Sequence, residues 1–250
     1  MINVDSTSEP GVARLTLARP TEGNTLNLDT AHALKSGVAK AVDSDARVLL
    51  LDATGKLFCG GGDVRAMSTA DDPVAYTHEL AMTLHEALLR IAESDLLFVC
   101  AVQGAAAGAG FSIVLNADYV IAGDRASFVT AYLSLGVTPD GGGSYLLPRV
   151  VGKLRASELL LGGRRLDAVA AKEWGVANEV AASDDLEGRS VEVARSFASL
   201  PAAAAARTKR LLGDGWIDGY REHLDREAAS ISELIGSSES RARQDQFLGG

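Results

Sequence analysis

A run of small residues between an apolar strand and a helix constrains this chain more than any other segment. Residues 103–112 read QGAAAGAGFS; the apolar stretch 96–102 precedes them, and 111–117 has helical composition. The pattern predicts a buried strand, a turn of glycines and alanines, and then a helix start. Gly104, Gly108 and Gly110 carry no side chain, and Ala105, Ala106, Ala107 and Ala109 carry only a methyl. Another group can therefore approach the backbone closely, and the free N–H groups of a helix start can point at an anion. Tight helix–sheet packing selects the same residues, so the segment alone leaves both readings open. Its glycines fall as GxxxGxG and not GxGxxG, which excludes a dinucleotide fingerprint.

The rest of the chain reads as alternating strands and helices followed by helices only. Strands are expected over 12–17, 47–53, 96–102, 118–122 and 176–180, from period-two alternation or short apolar runs. Helices are expected over 27–42, capped by Asn27 or Asp29, and over 64–67, 74–92, 153–161 and 168–174, the last capped by Asp167. Glycine-rich loops fall at 54–63 (TGKLFCGGGD) and 136–143 (GVTPDGGG). Beyond Asp184 the pattern is helical throughout: 186–200, 202–212, 217–235 and 239–247. We therefore divide the chain into an α/β core, 1–190, and a C-terminal helical region, 191–250. The second part is too thinly apolar for an independent domain and is expected to pack on the core or on a neighbouring subunit.

Charge and cysteine usage narrow the partners. Lys and Arg number 24 against 33 Asp and Glu, a net charge of −9. That disfavours nucleic acid or an anionic membrane as a bulk partner. Cys59 and Cys100 are the only cysteines and read as reduced thiols. No basic or apolar leader opens the sequence and no apolar run approaches the ~20 residues of a membrane span, so a soluble, cytoplasmic protein is expected. His78 and His85, seven apart on one helix, lie away from the glycine loops, and no carboxylate completes a ligand set, so no metal is expected.

Three features stand at strand ends: FCGGGD at 58–63, QGAAAGAG at 103–110 and PDGGG at 139–143. Two small-residue turns that each follow a strand can aim two backbone N–H groups at one point, an oxyanion hole. Each donor is worth about 3 kcal/mol to a developing oxyanion in a dry site. The third loop offers a carboxylate, Asp140, although Pro-Asp-Gly-Gly is also ordinary turn chemistry.

The order and spacing of these elements resemble the enoyl-CoA hydratase/isomerase (crotonase) superfamily. The likeness runs from VARLTLARP at 12–20, with Asn24, through 58–63, 103–118 and 136–152 to KEWGVANEV at 172–180. The resemblance implies a spiral of ββα units with a C-terminal helical region used in trimerisation, as a homotrimer or a dimer of trimers. It implies an acyl-CoA thioester substrate, with coenzyme A entering as part of that substrate and no separate cofactor. Gly62 and Ala109 would supply the oxyanion-hole N–H groups. Lys56, Leu57, Gly60, Gly61, Gly108 and Tyr132 would line the substrate site, and Asp140 would be the catalytic carboxylate. Phe247 and Lys209 are candidates to close the CoA pocket of a neighbouring subunit, though a core anchor and a solvated helix face are the duller readings. Asp63 is expected to cap the following helix.

Departures from the family pattern bear on the reaction. Hydratases of this family use two glutamates, at the positions of Ser112 and Tyr132 here, and neither residue is acidic. Asp140 stands where enoyl-CoA isomerases and ring 1,2-epoxyphenylacetyl-CoA isomerases carry their single acid. An apolar neighbourhood, including Leu133, Leu135, Val137, Leu146 and Leu147, is expected to raise its pKa. A double-bond shift by one Asp is therefore the expected reaction. The competing readings are hydration, dihydroxynaphthoyl-CoA synthase-like ring closure, aryl-CoA dehalogenation with an Asp nucleophile, and a non-catalytic CoA-binding scaffold.

Overall fold

The leucine- and valine-rich runs of the first half pair side by side because each is apolar on both faces. The computed structural model describes residues 2–5 and 9–249. Its strands are β1 (Ile2–Asp5), β2 (Val12–Leu17), β3 (Val48–Ala53), β4 (Leu57–Cys59), β5 (Leu97–Val102), β6 (Ala105–Ala107), β7 (Tyr119–Gly123), β8 (Ser127–Val129), β9 (Leu166–Asp167) and β10 (Glu179–Ala181). They form one sheet of order β1-β2-β3-β5-β7-β10 and a second of order β4-β6-β8-β9. Only the β1–β2 and β8–β9 pairings are antiparallel among the described residues.

Helices alternate with these strands: α1 (Leu28–Val42), α2 (Val64–Ser68), α3 (Pro73–Glu93), α4 (Ala109–Leu115), α5 (Gly143–Val151), α6 (Lys153–Leu160) and α7 (Ala168–Glu173). After them come α8 (Leu186–Ala198), α9 (Ala202–Gly213), α10 (Ile217–Ile235) and α11 (Ser238–Gly249). The chain thus places β3 in the first sheet, β4 in the second, then a helix, and repeats this with β5, β6 and α4. This is the expected ββα spiral.

Two features differ from the sequence reading. The glycine loop 54–63 contains β4, and the small-residue turn contains β6. Three-residue strands are too short to carry a period, and Ala has low β propensity. Tertiary pairing decides here: Ala105–Ala107 is held between β4 and β8. Gly104 permits the crossing, since a Cβ there would lie 2.0 Å from the Lys56 carbonyl oxygen.

Alternation sets the two faces of the large sheet. Leu49, Leu51, Phe98 and Cys100 face the main core, while Val48, Leu50 and Val99 pack under α8 through Leu186, Val193 and Ala194. The division expected at 190/191 falls within α8. Asn27 is the cap of α1, accepting from the Thr30 N–H. Asn24, buried at φ 54, donates to the carbonyls of Thr54 and Leu57 and accepts from the Arg19 N–H. It thereby pins the segment leading into β4. Both cysteines are free and buried. Among the described residues no helix is long and apolar enough to cross a membrane.

Candidate active site

The two small-residue turns meet. Gly61, at φ 94, follows β4, and a Cβ on it would lie 2.9 Å from the Ala107 carbonyl oxygen and 3.6 Å from the Ala109 nitrogen. Only glycine allows this left-handed backbone and this approach. Ala109 opens α4 after Gly108. Among the described residues neither the Gly62 nor the Ala109 N–H has a protein acceptor. Both residues line a cavity of about 1030 Å3. Its walls are apolar: Met67 from α2, Leu80, Ala81 and Leu84 from α3, and Ile231 and Ile235 from α10.

Asp140 also lines this cavity, yet it is only 7% exposed. The Tyr132 hydroxyl donates to its Oδ1 at 2.7 Å. Tyr132 Oη and Ser112 Oγ are 2.9 Å apart. A phenol has one proton to give, so the Ser112 hydroxyl donates to Tyr132, which donates to Asp140. Burial pushes Asp140 up to about 7, against the smaller downward pull of the Tyr132 hydrogen bond; the nearby Glu227 charge adds to the rise. Burial likewise holds the Tyr132 phenol well above its ordinary value. Ala131, at φ 58, turns the chain just before Tyr132. A left-handed alanine costs about 1 kcal/mol or more, and here it precedes a residue aimed into the cavity.

The loop after Asp140 is held by side chains of other helices. The Gly141 N–H donates to His85 Nε2 of α3 at 2.9 Å. Glu227 of α10 accepts from the Gly142 N–H at 2.7 Å and the Ser144 N–H at 2.9 Å. His85 is buried, and desolvation pushes it down to about 4, so the ring is neutral and Nε2 is an acceptor. The sequence reading kept His85 away from the glycine loops, and the fold corrects this. Only the packing of α3 on the 139–143 loop shows what it bonds. His78 is exposed, so the two histidines share no site. Among the described residues no cluster of His, Cys, Asp and Glu could hold a metal ion.

The sequence reading missed Glu227. The signal was present: it lies on the buried stripe of α10, with Tyr220, Leu224, Ala228, Ile231 and Ile235, where a carboxylate needs a partner.

Other expected site residues separate. Leu57, Gly60, Gly61, Gly108 and Tyr132 line the cavity with Gly62, Ala109 and Asp140. Lys56 is exposed and is not among the lining residues. Ser112 does not line it either. It is 1% exposed, boxed in where a Cβ on Gly141 would lie 2.9 Å from its own Cβ and one on Gly143 would lie 2.7 Å from its Oγ. Phe247 is no core anchor; it is 63% exposed and lies on the cavity wall. Lys209 is neither a pocket residue nor a solvated face. Its ammonium donates to the Ile91 and Leu96 carbonyls and pairs with Asp118 at 3.4 Å, closing the end of α3. Asp63 caps α2, accepting from the Ala66 N–H at 3.0 Å.

Comparison with known proteins bears on the family and the fold. The family model described as enoyl-CoA hydratase/isomerase matches residues 7–248. The 1,2-epoxyphenylacetyl-CoA isomerase of Escherichia coli is 36% identical over 236 residues, 92% of this chain and 88% of that protein. A 4-chlorobenzoyl coenzyme A dehalogenase of Arthrobacter is 30% identical, over 94% of this chain and 86% of its own length. Among solved structures, an enoyl-CoA hydratase/isomerase from Pseudoalteromonas atlantica superposes with a TM-score of 0.89 at 29% identity, covering 99% of this chain and 96% of its own. An enoyl-CoA hydratase from Mycobacterium avium subsp. paratuberculosis gives 0.88 at 28% identity, covering 97% of each chain. With the family model matching nearly the whole length and a relative above one-third identity, this chain belongs to the enoyl-CoA hydratase/isomerase family of the crotonase superfamily.

Proposed function

We propose that this protein shifts a carbon–carbon double bond in an enoyl-CoA, or isomerises a related ring acyl-CoA, using Asp140 as the proton carrier. The observation that carries the reading is a buried carboxylate held near 7 in the same cavity as two unpartnered backbone N–H groups. The thioester oxygen takes the N–H groups of Gly62 and Ala109. Asp140 removes a proton from C2 of a 3-enoyl thioester, and the electron pair moves into a dienolate whose charge rests on that oxygen. The same carboxyl group returns the proton at C4, leaving the double bond between C2 and C3. A base near 7 is half ionised at neutral pH, so it both accepts and gives back a proton readily.

The other carboxylates of the cavity suit this role less. Asp63 is committed to capping α2, and Glu22 is exposed. Hydration needs a second acid–base group beside the first, and Ser112 has no access to the cavity. An Asp nucleophile would leave an ester that a base-activated water must hydrolyse. His85, the nearest imidazole to this loop, is already bonded to Gly141.

Self-association as a homotrimer or a pair of trimers belongs to the same reading. The exposed Leu154, Leu161, Val169, Leu211 and Leu212 offer apolar surface for it.

The test is to supply 3-enoyl-CoA and 2-enoyl-CoA and to follow isomerisation and hydration separately. Isomerisation that disappears in Asp140→Asn is expected. Hydration of 2-enoyl-CoA that persists in this variant would sink the proposal. A thioester that binds without turning over would favour a scaffold. Tyr132→Phe adds a finer check. It removes the donor to Asp140 Oδ1 and leaves the burial in place. The acidic limb of kcat/KM is then expected to move upward by about one pH unit from its position near 7.

A further inference from the structure

The C-terminal helix α10 reaches back to the loop that carries Asp140, and its contact there is a buried carboxylate accepting hydrogen bonds. Glu227, 4% exposed, accepts from the N–H groups of Gly142 and Ser144 and from the Ser144 hydroxyl. Gly142 precedes α5 and offers no side chain to cap it. The Glu227 carboxylate takes the place of that cap, at the end of α5 where the helix dipole favours negative charge. Its position is therefore determined by hydrogen bonds two and four residues beyond Asp140. His85 secures the intervening Gly141 N–H. The backbone on the C-terminal side of Asp140 is thus tied to α3 and α10, and little freedom remains in how its carboxylate enters the cavity.

The surroundings of this pair are otherwise nearly uncharged. Facing Asp140 are the phenol of Tyr132 and the thiol of Cys59, which burial pushes up to about 12; the neutral ring of His85 lies within the field of Glu227 and of Asp225. Facing Glu227 are Tyr220 of its own helix, Ser144, and His223, whose Nε2 lies 3.5 Å from Glu227 Oε1 and 2.8 Å from Ser144 Oγ. The His223 side chain is 24% exposed and forms the outer end of the cluster.

We propose that Glu227 is a positioning residue for Asp140. It fixes the loop that presents the carboxylate and, as a second negative charge behind that loop, makes Asp140 a stronger proton acceptor. This rests on the reading of Asp140 as the proton carrier, but part of its test needs no turnover.

Thermal unfolding of four proteins between pH 5 and 8 forms the core of the test: wild type, Asp140→Asn, Glu227→Gln and the double variant. The Tm gained by Asp140→Asn is expected to grow with pH in the wild-type background. In the Glu227→Gln background that growth should shrink by about half, the equivalent of ~1 pH unit in Asp140. Equal growth in both backgrounds overturns the proposal. Glu227→Asp keeps the charge and shortens the reach. Its pH-dependent gain should stay at the wild-type size while turnover falls ten-fold or more, and a lost gain overturns the proposal.

The acidic limb of kcat/KM should move down by ~1 unit in Glu227→Gln and stay in place in Glu227→Asp. A merely structural contact would lower both rates and move neither limb. Should the Gln variant fail to fold, Glu227→Asn, which also removes the charge, takes its place in both readouts. If the unfolding cycle holds and no enoyl thioester is turned over, the role of Glu227 stands and the isomerase reading falls.

Discussion

Asp140→Asn is expected to lower isomerisation by on the order of a thousand-fold and, at the same time, to make the protein more heat-stable at pH 8. The rate loss follows because an amide cannot accept the substrate proton. The stability gain follows from the position of the carboxylate. Burial holds it at about 7 in the folded chain, against an ordinary value of 3.8. A group whose folded pKa lies above its unfolded one binds protons better when folded. Its contribution is most favourable below about 4, declines as pH rises to about 7, and levels off above. The gap of roughly three units corresponds to about 2–4 kcal/mol lost by pH 8. Asn has no charge to desolvate, and its carbonyl still accepts from Tyr132. For a chain of this size that is a Tm gain of about 5–10 °C at pH 8, shrinking towards zero near pH 4. Thermal melts across this range check it, and a pH-independent difference between the two proteins would contradict it.

Gly110→Ala should damage the same reaction from the opposite side. Gly110 is the second residue of α4, directly after Ala109. A Cβ there would lie 2.5 Å from the Cys59 carbonyl oxygen and 2.6 Å from the Cys59 Cβ. Cys59 cannot yield easily, because β4 is paired to β6. Helix α4 has to move outward, and the Ala109 N–H moves with it, away from Gly62. Loss of one aligned oxyanion donor costs about 100- to 1000-fold in kcat. The overpacking itself costs about 1–3 kcal/mol of stability. Ala109→Gly is the matching control: it keeps the N–H and relieves no clash, so turnover should stay within a few-fold. Steady-state kinetics on a 3-enoyl-CoA, with melts alongside, separates the effects. A Gly110→Ala protein with wild-type kcat would show that the approach of α4 to β4 does not set the hole.

Much of this was readable before folding. Apolar runs and turn residues placed β3, β5 and α3 to within a residue or two, because long periodic segments carry their own signal. Short strands did not: β4 and β6 exist only because a neighbour supplies their hydrogen bonds. Gly62, Ala109 and Asp140 stood out through small residues and a carboxylate at strand ends, and the fold brings all three to one cavity. Lys56 lies outside that cavity, since residues adjacent in sequence point to opposite sides of an extended segment. His85 was read only as sharing a helix face with His78, and Glu227 was passed over. Their partners are the N–H groups of a loop more than fifty residues away in either direction.

The segment 103–112 shows the division most clearly. Its composition by itself allowed a close approach to the backbone between Gly104 and Gly110 and left open whether a ligand or only tight packing uses it. Together with PDGGG it carries the resemblance to the family that the comparisons show. Which group approaches was decided by tertiary structure: β4 and β8 flank Ala105–Ala107, Cys59 presses on Gly110, and among the described residues the N–H of Ala109 is left without a protein acceptor. The same holds for Asp140. Local sequence supplies an acid in a turn, but the proton affinity of a carboxylate depends on how much water is removed and which charges stand behind it. Here α3 and α10, distant in sequence, decide both together with Tyr132, eight residues upstream.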